Sequence, residues 1–287
     1  MIVTRFAPSP TGLLHLGHAF AAMTAHDMAR SAGGRFLVRI EDLDRTRCRP
    51  EFEAAILEDL DWLGLAWERP VLRQSERFEA YRAALEQLAA QGLTYPCFCT
   101  RGDIAAEIAR SVEAPHGPEG PLYPGTCRSL SEAERRARID SGVPYALRLD
   151  VAKAAALSGP LSFEEQGSGP DGGRGLIAAD PLLFGDFVIA RKDVPASYHL
   201  AVVVDDAFQG VTLVTRGNDL FAATHVQRLL QALLGLPTPA YAHHRLILDA
   251  QGRKFSKRDR AVTLRSMRES GMMPAQIRAR LGLPLAI

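Results

Sequence analysis

Arg5-Phe6-Ala7-Pro8-Ser9-Pro10-Thr11-Gly12-Leu13-Leu14-His15-Leu16-Gly17-His18 is the stretch that decides how this chain folds. It grows out of the apolar, β-branched run Val3 to Phe6, whose strand character stops at the turn chemistry of Pro8 to Gly12. A helical stretch follows from about His18 to Ala32; Gly33-Gly34 closes it, and Arg35 to Ile40 reads as a second buried strand. Strand, Gly/Pro turn, helix, strand is the opening of a parallel α/β sheet. Such a turn leaves backbone N–H groups and a helix N-terminus facing outward, where an anion can be held. His15 and His18, three apart, share a face and can donate hydrogen bonds to phosphate, while Gly17 permits close approach of a flat ligand. On its own, the tetrad is equally well explained as a turn carrying two surface histidines.

Outward from this stretch, helical patterns cover about Pro50 to Leu63 and Ser75 to Ala90. From Tyr95 to about Leu149 the character changes: cysteines, a Pro/Gly-rich loop (Ala114 to Gly125) and a charged helical run (Ser131 to Ser141) fit an inserted subdomain. Beyond a Gly-rich loop at 167–175, period-2 segments at Asp186 to Ala190, Tyr198 to Val204 and Val211 to Thr215 predict strands, and Leu220 to Leu234 predicts a helix. The expected organisation is a first half-sheet over 1–94, an insert over 95–185, a second half-sheet over 186–247, and a basic loop with a short helical segment over 248–287.

With 47% hydrophobic and 23% charged residues in 287, the chain has the composition of a soluble globular protein. Its longest apolar runs, such as Leu200 to Val204, are far short of the roughly 20 residues that span a bilayer, and Met1 to Phe6 has no signal-peptide layout. A cytoplasmic location is expected. The formal charge of 34 − 33 = +1 conceals an asymmetry: residues 1–247 hold 25 basic and 30 acidic groups, residues 248–287 hold 9 and 3. A basic end after an acidic body points to a polyanionic partner. Only four of the 34 basic residues are lysines, and two of these share Lys254-Phe255-Ser256-Lys257-Arg258, behind the turn Asp249-Ala250-Gln251-Gly252. A charge run is usually a solvated loop; here the scarcity of lysine and the freedom given by that turn favour mobile ammonium groups meeting phosphates whose charge shifts during a reaction.

Four cysteines in a chain of this length do not make a disulfide framework. Cys48 stands alone as a plain thiol. Cys97, Cys99 and Cys127 are clustered, with Tyr123 and His116 nearby, and three thiolates plus one further ligand suit a closed, structural zinc site.

The two phosphate-binding stretches resemble the His-Ile-Gly-His and Lys-Met-Ser-Lys-Ser signatures of class I aminoacyl-tRNA synthetases, and Arg5 to Gly12 resembles the glutamyl and glutaminyl branch in particular. Arg39 to Asp44, Tyr198 to Asp206 and Thr215 to Leu220 match the same branch in order, so the resemblance runs from residue 5 to 258. It implies a Rossmann-type α/β catalytic domain with an inserted zinc-binding, acceptor-type subdomain and a short helical C-terminal end. It also implies that a glutamate carboxylate attacks the α-phosphorus of ATP, giving glutamyl-adenylate and pyrophosphate, with Mg²⁺ accompanying the ATP. In that scheme Pro8, His15, Gly17, His18 and Lys257 contact ATP, and His15, His18, Lys254 and Lys257 act in catalysis. Arg5, Phe6, Ala7, Pro8, Ser9, Glu41, Tyr198 and Arg216 form the glutamate pocket, where arginine forks onto a carboxylate and Glu41 receives the ammonium group. Tyr123 is favoured as the fourth zinc ligand over His116. Ala207 departs from relatives that carry histidine after the Asp-Asp pair and receives no role.

About 30 residues follow Arg258, too few for an anticodon-reading domain. That length resembles truncated glutamyl-tRNA synthetase paralogues that transfer glutamate to the queuosine base at the wobble position of tRNA(Asp), which makes queuosine-containing tRNA(Asp) the expected partner. A monomer with no membrane partner is expected. Two alternatives stand beside it: a short glutamyl-tRNA synthetase charging tRNA(Glu), and an inactive tRNA-binding paralogue.

Overall fold

Four consecutive residues, each no more than 7% exposed, make β1 (Val3–Phe6) a strand buried on both faces, as the centre of a parallel sheet requires. The structure is a computed structural model and describes residues 1–110, 116–191, 195–248 and 262–284. Helix α1 (Leu16–Ser31) follows the Pro/Gly turn, and β2 (Arg35–Ile40) returns parallel to β1, Val3 opposite Arg35 and Phe6 opposite Val38. Next come α2 (Pro50–Trp62), β3 (Glu68–Arg73) parallel to β2, and α3 (Phe78–Ala90). The intervening segment contains β4 (Thr94–Cys97), α4 (Arg101–Arg110), β5 (His116–Gly117), β6 (Gly120–Pro121), α5 (Glu132–Asp140), β7 (Ala146–Leu149) and α6 (Val151–Ser158). The chain continues through β8 (Ser162–Glu165), β9 (Gly175–Ala178), β10 (Val188–Arg191), α7 (Tyr198–Phe208), β11 (Leu213–Gly217), α8 (Ala223–Leu234) and β12 (Ala240–His244), and ends with α9 (Leu264–Glu269) and α10 (Pro274–Arg280).

The half-sheet β3-β2-β1 meets a second, β11-β12-β8-β9, in which all neighbours are parallel except β8 and β9. The two meet at β1: Thr212 donates its N–H to the Val3 carbonyl at 3.0 Å, and the Val3 N–H donates to Thr212 Oγ1 at 2.9 Å. Strand order therefore reverses between β1 and β11, and the crevice beyond their carboxyl ends is where an open α/β sheet binds ligands. One helical layer packs α1, α2, α9 and α10 around Met23, Ile56, Leu264 and Ile277; the other packs α3, α6, α7 and α8 around Leu88, Ala154, Leu200 and Leu230. No described helix is long and apolar enough to cross a membrane.

Three expectations are corrected. Tyr198 to Val204 is the start of a helix, not a strand: Ser197 caps it, its Oγ accepting the Leu200 N–H at 3.3 Å, and five of its first seven residues are buried among α3, α8 and the sheet. An apolar run buried on every side carries neither period, so the pattern could not tell the two apart. Asp205 and Asp206, about 100° apart on the helix, then point to different neighbours: Asp205 to Arg77 and Tyr81 of α3, Asp206 to the sheet. Residues 162–178, expected within the insert, contribute β8 and β9 to the main sheet. Val188 to Arg191, expected in the second half-sheet, instead pairs antiparallel with β7, which pairs with β4.

Candidate active site

The Pro/Gly turn is pinned at both ends, the Glu41 N–H donating to the Pro8 carbonyl at 3.1 Å and the Arg49 N–H to the Pro10 carbonyl at 3.0 Å. Helix α1 then starts with an unusual reciprocal cap made of two histidines. His15 Nδ1 accepts the Gly17 N–H at 3.1 Å, and His18 Nδ1 accepts the His15 N–H at 3.2 Å. With both Nδ1 atoms accepting, the neutral rings carry their protons on Nε2 and are donors there, the polarity that phosphate oxygens need. The rings lie 3.8 Å apart, centroid to centroid. Gly17 leaves room for this cap: a Cβ there would lie 3.1 Å from His15 Cε1, tight enough to push the ring aside by a few tenths of an ångström. Thr263, six residues beyond Lys257, forms a β-bridge with His15, and the Leu264 N–H donates to the Leu14 carbonyl at 2.9 Å, so the chain returns beside the cap. Lys254 and Lys257 themselves lie outside the described residues.

At the switch point opens a cavity of about 680 Å³. Arg5, Phe6, Ala7, Pro8, Ser9, Glu41, Tyr198 and Arg216 all line it, together with Thr11 and His18, so the phosphate turn and the expected amino-acid pocket are continuous. His15 and Gly17 stand beside His18 at the start of α1.

A buried charge network floors the cavity. Asp206 takes Arg5 in a fork, Nε at 2.9 Å and Nη2 at 3.3 Å, and also accepts from Arg39 Nη1 at 2.8 Å. Burial alone would raise the Asp206 carboxyl; the two guanidinium groups outweigh it and hold it below the usual carboxylate range. Burial likewise opposes the charge of Arg39, and Asp206, Glu41 and Asp205 more than restore it. Glu41 receives less help: its nearest cation, Arg39 Nη2, is 3.4 Å away, and burial wins over the attraction of Arg39 and Arg5, leaving its carboxyl above the usual range. Arg216 is only 5% exposed and is caged by neutral groups, with Nε on His243 Nε2 at 3.1 Å, Nη1 on Gln227 Oε1 at 2.7 Å and Nη2 on Thr224 Oγ1 at 2.7 Å. It makes no ion pair among the described residues.

Cys97, Cys99 and Cys127 bring their sulfurs within 4.8 Å of one another. Tyr123 completes the group, its hydroxyl 3.4 Å from Cys97 Sγ and 3.7 Å from Cys99 Sγ. Tetrahedral zinc with Zn–S bonds of about 2.3 Å sets its sulfurs about 3.8 Å apart, close to the 3.4 Å between Cys99 and Cys127, so the donor set fits the ion. His116 lies in β5; its side chain is outside the described groups. Sequence reasoning missed the parts that hold the pocket: Arg39 and Asp206 were visible only as motif letters, Glu165 and His243 are partners 78 residues apart, and Thr224 and Gln227 sit in a helical pattern that does not show which of its polar residues face Arg216.

Over residues 1–284 the chain matches the family described as tRNA synthetases class I (E and Q), catalytic domain, and it belongs to that family. Among its relatives, the Glutamyl-Q tRNA(Asp) synthetase of Rhodobacter capsulatus is 52% identical over 98% of this chain and 100% of its own length. That of Symbiobacterium thermophilum is 44% identical over 96% of this chain and 84% of its own. Among solved structures, the glutamate tRNA ligase of Elizabethkingia meningosepticum, crystallised with its amino acid, is 30% identical with a TM-score of 0.73 over 90% of this chain, which spans 52% of that one.

Proposed function

We propose that the chain activates L-glutamate with ATP and transfers it to the queuosine base of tRNA(Asp). The observation that carries the amino-acid half is an imbalance among the described residues of the pocket: Arg216 is a buried cation with no acid in contact, and Glu41 is a buried anion whose attraction to Arg39 and Arg5 falls short of its desolvation. Unpaired buried charge is costly. An α-amino acid with a carboxylate side chain supplies both missing partners, its side-chain carboxylate to Arg216 and its ammonium group to Glu41. Glutamine would leave Arg216 uncompensated, which gives the pocket a physical basis for rejecting it.

ATP enters as its Mg²⁺ complex, with His15 and His18 donating from Nε2 to its phosphates beside Gly17. The glutamate α-carboxylate attacks the α-phosphorus in line and pyrophosphate departs, its charge met by Lys254 and Lys257. A hydroxyl of the queuosine cyclopentenediol then attacks the acyl carbonyl and AMP leaves. Zinc held by Cys97, Cys99, Cys127 and Tyr123 would be structural, all four positions being protein ligands. Burial pushes the Cys99 thiol up to about 11, so the ion's charge would favour its thiolate.

The transfer half rests on the relatives of that name, matched over most or all of their length. Incubation with ATP, labelled glutamate and tRNA(Asp) with or without queuosine tests it, the label being mapped by nuclease digestion. Label confined to the wobble nucleotide of the queuosine form is expected. Equal labelling of both tRNAs, or label at the 3′ end, overturns the proposal.

A further inference from the structure

We infer that Glu165 and His243 form a buried positioning relay that fixes the guanidinium of Arg216 for the substrate's side-chain carboxylate; this rests on the glutamate reading of the pocket. Both side chains are fully buried, and His243 Nδ1 on β12 lies 2.6 Å from Glu165 Oε2 on β8. The other carboxylate oxygen, Oε1, accepts the backbone N–H groups of His243 at 2.9 Å and Gly167 at 2.8 Å. Although burial disfavours its charge, these donors keep Glu165 below the usual carboxylate range and therefore ionised. An ionised Glu165 obliges Nδ1 to carry the ring proton, so Nε2 offers a lone pair, and that lone pair is what the Arg216 Nε–H meets at 3.1 Å. Burial lowers the affinity of the His243 ring for a second proton, and the adjacent Arg216 charge works in the same direction against Glu165, so the ring is neutral.

Donor arithmetic shows what the relay achieves. Of the five N–H groups of Arg216, which lines the cavity, Nε is spent on His243, one on Nη1 goes to Gln227 and one on Nη2 goes to Thr224, leaving one on each terminal nitrogen without a partner among the described residues. Two N–H groups on adjacent nitrogens are the set that can fork onto a carboxylate. An acid in the place of His243 would neutralise Arg216 directly. The imidazole instead passes on the orientation set by Glu165 and leaves the positive charge for the substrate.

Glu165→Gln cannot satisfy both sets of partners, whichever way the amide lies. Its NH₂ faces either Nδ1, moving the ring proton to Nε2 against the Arg216 Nε–H, or the two backbone N–H groups. His243→Phe keeps a ring and removes the acceptor, whereas His243→Gln can restore the order, with NH₂ toward Glu165 and the carbonyl toward Arg216. KM for glutamate, KM for ATP and kcat in pyrophosphate–ATP exchange, with urea unfolding alongside, read the outcome. Glu165→Gln and His243→Phe are expected to raise KM for glutamate by roughly tenfold or more. KM for ATP should stay within about twofold, and His243→Gln should recover much of the loss. Unchanged KM for glutamate in the two relay variants, or equal rises for both substrates, overturns the relay. Arg216→Ala separates the readings: an unchanged KM for glutamate there sinks the pocket assignment itself, while a rise there without one in the relay variants sinks the relay alone. Should Glu165→Gln lose its fold, His243→Phe, which leaves the two backbone N–H donors to Glu165 Oε1 in place, decides.

Discussion

Replacing Glu41 by glutamine separates a residue kept for binding from one kept for stability. The Glu41 side chain is 10% exposed, and its contact with Arg39 at 3.4 Å is longer than those Arg39 makes to Asp206 at 2.8 Å and Gln209 at 2.9 Å. At an effective dielectric of about 20, a pair at that distance gains about 5 kcal/mol before desolvation. Desolvation exceeds what Arg39 and Arg5 return, since the carboxyl is held above its usual range. A carboxyl raised on folding costs stability when ionised: nothing below its unfolded pKa, the full amount above its folded one. Glu41→Gln removes that cost at neutral pH and leaves Arg39 its two closer partners, so unfolding free energy in urea should be unchanged or higher. The substrate ammonium meanwhile loses a charged acceptor worth about 1.5–3 kcal/mol, a fall of roughly 10- to 150-fold in kcat/KM for glutamate. Pyrophosphate exchange reads that loss, and its pH profile supplies a second arm. In the parent protein, KM for glutamate should begin to rise on acidification while ordinary carboxylates are still ionised; in the variant, that rise should vanish. A variant that unfolds more easily by about 2 kcal/mol or more yet keeps the parent KM would show Glu41 to be structural.

Gly17→Ala places a Cβ 3.1 Å from His15 Cε1 and 3.2 Å from Nδ1; alanine favours the helix, so stability should hold while exchange falls about tenfold or more through displacement of the cap. Asp206→Ala strands two buried guanidinium groups and should cost about 3–5 kcal/mol in urea unfolding at pH 7. Because the Asp206 carboxyl is lowered on folding, its stabilisation is complete above the unfolded pKa and is lost as pH falls through the folded one, so the gap between Asp206→Asn and the parent should narrow in acid. Metal analysis of protein purified without chelator should find about one zinc per chain, with the thermal midpoint lowered by chelation and Cys127→Ser abolishing both. A chain free of metal with the same midpoint would refute the site.

The opening β1-turn-α1-β2 unit was legible because each boundary has a local cause: β-branched residues, then Pro and Gly, then Gly33-Gly34. The cavity walls were legible for a different reason. Arg5, Ser9, Glu41, Tyr198 and Arg216 came from motif resemblance, and nothing in their spacing says that residues 5, 41 and 216 share a wall. Tyr198 to Val204 was misread because an unbroken run of buried residues, His199 to Val203, erases the periodicity that separates helix from strand.

What could not be read locally is the pairing that gives the pocket its charge. Arg39 and Asp206 are 167 residues apart, Glu165 and His243 are 78 apart, and each would read as a surface group until the sheet brings its partner to within a hydrogen bond. Once they are paired, the arginines of the site divide into two kinds. Arg5 and Arg39 both bond Asp206, and a lysine in either place would lose the fork or the double contact. Among the described residues Arg216 is held by neutral groups, the carboxylate of Glu165 standing one imidazole away, and the proposed function has the substrate answer its charge. The sequence shows three similar arginines; in the structure an acid touches the guanidinium of Arg5 and of Arg39, none among the described residues touches that of Arg216, and the proposal that Arg216 meets the substrate carboxylate rests on that difference.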